Sequence, residues 1–111
     1  MSTVNELYAE AEKLKDEGKY KESIEKLQEI LAEEENHVLS HLTLAVVYGK
    51  IGQQEEAIKH GQKACELEPD EPFNFTAMSV TFQRAFVGTQ DQQFIQLAEE
   101  AMARAHALQG H

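Results

Sequence analysis

Apolar positions recur along this chain at helical spacing, and each periodic stretch is bounded by a turn residue. Leu7, Ala11 and Leu14 fall on one stripe, opened by Thr3 and Glu6 at capping-box spacing and closed by Gly18. Tyr20, Ile24, Leu27, Ile30 and Leu31 form a second stripe. The pattern returns with Leu44, Ala45, Val47, Tyr48 and Ile51, then with Ala57, Ile58, Gly61, Ala64 and Cys65, until Pro69 and Pro72 interrupt it. Proline costs about 3 kcal/mol inside a helix but suits a first turn, so EPDEP reads as a stop followed by a start. A third pair holds Met78, Ser79 and Phe82 and, after a late Gly88, Phe94, Leu97, Ala98, Ala101, Met102, Ala105 and Leu108. Thr89 and Gln92 stand at capping-box spacing ahead of that last stripe. The spacing predicts six helices and an all-α fold.

Shifted against itself by 34 residues, the chain places Gly18 on Gly52, Glu22 on Glu56, Ile24 on Ile58, Gln28 on Gln62, Glu34 on Glu68 and Ala11 on Ala45. A fixed period means one supersecondary unit reused, each copy burying its apolar face against the next. From residue 72 only the first helix keeps the register.

These residues resemble the tetratricopeptide repeat family, whose 34-residue helix hairpins stack into a right-handed α-solenoid with an inner groove. The resemblance is strongest over residues 38–71, at Leu44, Ala45, Tyr48, Gly52, Ala57, Ala64 and Pro69, and moderate over 4–37, where Ser23, Ile30 and Glu35 depart from the pattern. It implies a single domain over residues 1–111, with repeats at about 4–37 and 38–71 and a degenerate third at about 72–108. The last helix would cap the stack. Ala57, Gly61 and Ala64 would form a shallow seam between units, with Phe75 or Phe82 filling the space above Gly61.

The resemblance further implies that the first helix of each hairpin lines the groove, placing Tyr8, Glu12, Leu39, Thr43, Val46, Phe73, Ala77, Val80 and Arg84 there. The period alone adds that Leu39, Val46, Phe73 and Val80 lie off the main core stripes, as contact-surface residues do. The family's clamp for a C-terminal carboxylate uses Lys, Asn and Arg, whereas the matching positions here hold Tyr8, Glu12, Thr43, Phe73 and Ala77. A carboxylate would meet Glu12 and Asp16 with no compensating cation, so the expected ligand is an apolar or aromatic segment with a basic flank near Glu12.

Composition narrows the partners. Of 111 residues 41% are hydrophobic and 27% charged, which suits one folded domain, and the formal net charge is -10. Residues 1–37 hold eleven acids against five bases, so the field is most negative at the N-terminal end. It repels phosphates and anionic lipid, which disfavours nucleic acid and membrane as partners. The N-terminal stretch is too charged for a signal sequence, and no apolar run spans a bilayer, which points to the cytoplasm.

Candidate chemistry is sparse. Cys65 is the single cysteine, so it reads as a buried or half-buried thiol. His60 and Cys65, five residues apart, face different sides of a helix, the serines lack evident partners, and no glycine-rich phosphate loop exists, so no enzyme and no cofactor is expected. The acidic run Glu33, Glu34 and Glu35 reads as a solvated turn. His37 and His41 have the spacing of a helical metal pair without the glutamate of the metalloprotease motif, and His41 is expected to pack beside Tyr8 or Leu7. The preferred function is a protein interaction module. The alternatives are a self-assembling subunit, dimeric through its groove or last helix, and a metal-binding regulatory protein using His37 and His41.

Overall fold

In the computed structural model, residues 3–110 are described; Met1, Ser2 and His111, which the expected domain includes, lie outside them. Six α-helices run in order: α1 Val4–Asp16, α2 Tyr20–Glu33, α3 Val38–Lys50, α4 Gln54–Leu67, α5 Pro72–Thr89 and α6 Gln93–Gln109. The described residues contain no strand, and none of these helices is long and apolar enough to cross a membrane.

Local chemistry accounts for most of the boundaries. Thr3 and Glu6 form a reciprocal capping box at the start of α1. Gly18 and Gly52 end the first helix of their hairpins with φ of 79° and 83°, values that a side chain would strain. Pro72 occupies the first turn of α5, and the Glu71 carboxylate accepts from the Phe73 amide.

Consecutive helices pair as hairpins α1–α2, α3–α4 and α5–α6, and α3 and α5 each join one hairpin to the next. Leu7, Ala11, Leu27, Ile30 and Leu44 form the core of the first junction. Met78, Phe82, Ala98 and Ala101 form a second core farther along. Positions 34 apart share burial: Ala11, Ala45 and Ser79 are all buried, as are Ser23 with Ala57 and Ile30 with Ala64.

Four expectations need correction. The space above Gly61 is filled by Met78, not by Phe75 or Phe82: a Cβ at Gly61 would lie 2.7 Å from Met78 Sδ. Ile51 is the α3 C-cap and is 41% exposed, so it is not core. Gly88 does not make the third turn, because α5 runs on through Thr89 and stops at Gln90, which takes the left-handed conformation. Thr89 therefore belongs to the end of α5; its hydroxyl donates to the Ala85 carbonyl, and no side-chain cap forms at Gln92.

Candidate functional site

The structure divides the expected groove into two unlike parts. Between α1 and α3 the positions are polar and bonded to one another. The Tyr8 hydroxyl donates to Glu12 Oε1 at 2.9 Å and lies 2.8 Å from Thr43 Oγ1, which donates to the same carboxylate oxygen at 3.1 Å. Lys15 Nζ reaches the other oxygen at 3.2 Å and Asp16 at 3.7 Å. The compensating cation thought to be missing is thus Lys15, one helical turn from Glu12, and the carboxylate is already neutralised. Partial burial raises the Glu12 pKa, but the bonds from Tyr8, Lys15 and Thr43 outweigh it and hold the group below its ordinary range. Burial also pushes the Tyr8 phenol up to about 12, so it stays a donor.

Between α3 and α5 the wall is apolar and open. Val46, Phe73, Ala77, Val80 and Arg84 line one cavity of about 240 Å³ with Leu42, floored by Gly61 and Met78. Phe73 is 62% exposed and Val80 38%. Arg84 has no acidic side chain within ion-pair distance among the described residues. Its aliphatic stem packs beside Gly49, where an added Cβ would meet Arg84 Cδ at 3.4 Å.

Of the nine expected groove residues, five therefore meet at this cavity and three close the neighbouring junction. Leu39, in the first turn of α3, is 52% exposed and lines neither part. Leu42 and Thr76 were missed, although a signal was present: they stand 34 and 68 residues after Tyr8. A second apolar hollow, of about 500 Å³, opens between α5 and α6 with Phe86, Val87, Ile95 and Met102 in its wall. Val87 is 72% exposed, so α6 leaves this end of the stack partly uncovered. Met102, expected on the packing stripe, faces this hollow.

The remaining candidates sort by contact. His37 does not pair with His41; its Nδ1 accepts from the Ser40 amide as the α3 N-cap, and its ring lies beside Tyr8. His41 turns its ring to His60, with the two Nδ1 atoms 2.9 Å apart. No three His, Cys, Asp or Glu side chains cluster as metal ligands among the described residues. Cys65 is half-buried with Sγ 3.5 Å from the Asn74 carbonyl, and burial, then Glu66, push the thiol up to about 11. Such a thiol is a poor nucleophile at neutral pH. Glu33, Glu34 and Glu35 are exposed at the end of α2.

No family model and no curated protein matches the chain. Among solved structures, the type III secretion translocator chaperone SycD of Yersinia enterocolitica, described as an alternative dimer, is similar with a TM-score of 0.82. The identity is 18%, over 98% of this chain and 77% of that chain. The likeness is one of fold: an all-α stack of helical hairpins.

Proposed function

We propose that this protein is an interaction module that holds an apolar segment of another protein between α3 and α5, with an acidic group of that segment turned toward Arg84. The observation that carries this reading is the apolar cavity at Val46, Phe73, Ala77 and Val80, which borders an arginine with no acidic side chain in ion-pair distance among the described residues. The occurrence of the same fold in a chaperone supports a protein as the ligand. The acidic flank replaces the basic one expected at Glu12, because Glu12 is held by Lys15. Apolar burial contributes roughly 25 cal/mol per Å² before ordering costs, so micromolar affinity is expected.

The test is affinity capture from the source cell, comparing the native chain with Val46→Asp, Phe73→Asp and with Arg84→Glu. The double variant should lose the partner with its helical signal intact, and the charge reversal should weaken binding most at low salt. A partner held equally by all three proteins sinks the reading.

The exposed hollow between α5 and α6 favours a second reading, self-association through the last hairpin. The solved neighbour is described as a dimer. Here Val87→Glu with Ile95→Glu should reduce the mass to that of one chain; a native mass of one chain, 12.5 kDa, at every concentration ends this reading.

A further inference from the structure

The second hairpin contains a pair of imidazoles that the groove does not use. His41 on α3 and His60 on α4 approach with their Nδ1 atoms 2.9 Å apart, while the ring centres are 5.2 Å apart and the planes 29° from parallel. The centres are farther apart than the nitrogens by about two ring radii, so both nitrogens lie near the line joining the rings. That geometry is a hydrogen bond, and it needs one N–H and one lone pair.

The outer contacts decide which ring donates. His41 Nε2 lies 2.9 Å from the Glu35 carbonyl oxygen, which can only accept. His41 therefore carries its proton on Nε2 and accepts at Nδ1, so His60 donates from Nδ1. The lone pair of His60 Nε2 is left 3.9 Å from the Glu56 carboxylate. Tyr48 lies parallel to the His60 ring at 5.7 Å, and its hydroxyl oxygen accepts from Gln28 on α2 at 3.4 Å. One chain of contacts thus joins α2, α3, α4 and the turn after α2.

We propose that the His41–His60 contact is a latch that ties α3 to α4, closed by one proton between the two Nδ1 atoms and opened when acid places a proton on each. The first proton added to the pair leaves a single N–H between the two Nδ1 atoms, so the bond stays intact. The second leaves an N–H on both Nδ1 atoms; the hydrogen bond is lost and two cations face each other. The charged and titratable groups around the pair are Glu35 from the turn, Tyr48 from α3, and Glu56, Lys59, Lys63 and Glu66 from α4.

Burial lowers the His60 pKa most, His41 and Lys59 lower it further, and Glu56 opposes them, leaving it at about 4. An unfolded chain takes up this proton near the ordinary 6.5. The contribution is therefore fully present above about 6.5 and is lost as pH falls from there through about 4.

Imidazole nitrogen NMR on the whole chain, with denaturant melts of the native protein and His60→Gln, tests the latch. The glutamine amide donates to His41 and does not titrate. At neutral pH the native spectrum should show His41 protonated on Nε2 and His60 on Nδ1. Between about pH 7 and pH 4.5 the native folding constant should fall at least about tenfold more than that of the variant. Two Nε2-protonated rings at neutral pH, or the same acid loss in both proteins, would overturn the proposal. The native tautomers alone decide it should the variant not fold.

Discussion

The two junctions of this stack use equivalent positions in opposite ways. Tyr8, Glu12 and Thr43 at the first are replaced 34 residues later by Leu42, Val46 and Ala77 at the second. The first set satisfies its own hydrogen bonds and leaves no apolar wall for a ligand. Leu42, Val46 and Ala77 carry no polar group to bond across the gap, and a cavity remains. A repeated backbone thus yields a closed junction and an open one, and three side chains make the difference.

The cores beneath differ as well. Leu27 and Leu44 share the first core, whereas the corresponding Gly61 and Met78 meet at the second, where the thioether occupies the space a Cβ would need. Leu44 is fully buried, and Leu44→Ala should cost about 2–5 kcal/mol through transfer and cavity terms. A denaturant melt measures this; a loss below 1 kcal/mol would mean that the first junction collapses around the gap.

Gly61→Leu imposes the first junction's pairing on the second and should cost about 1–3 kcal/mol by overpacking. Combining it with Met78→Ala should recover part of that loss. Additive losses in the double variant would show that the two positions do not compete for one space.

Thr43→Ala copies Ala77 into the first junction and should cost about 1 kcal/mol, because its hydroxyl's hydrogen bond to the Glu12 carboxylate is lost. It should also raise the Glu12 pKa, which carboxyl NMR would follow. An unchanged titration would separate Thr43 from the network.

The smallest effect is the pH dependence of the closed junction. Because the folded Glu12 pKa is depressed, its contribution is present above the ordinary carboxylate range and is lost as pH falls through the folded value. The side chain is 35% exposed, so solvent screening keeps the contribution below about 1 kcal/mol. Glu12→Gln should flatten this part of the stability profile, and an unaltered slope would assign the acid loss to other groups.

Much of the fold was legible because helix formation and burial are periodic along the chain. The six stripes, the turn glycines Gly18 and Gly52, and Pro72 at a first turn can all be read without knowing what packs on what. The third turn was misread because Gly88 marks an end only if the helix stops there, and packing of α5 against α6 carries it on to Thr89. The site was half legible: Val46, Phe73, Ala77, Val80 and Arg84 do share a cavity, but spacing gave no sign that Glu12 is already neutralised.

The sequence by itself determined an all-α chain of helical hairpins and which face of each helix is apolar, since both follow from neighbours within about one turn. Tertiary structure alone decided that Tyr8 meets Thr43, that Met78 covers Gly61 and that His41 turns to His60. Those partners lie far apart in the chain. Their meeting depends on how closely the helices approach and which rotamers remain free there, neither of which a repeat of 34 residues specifies.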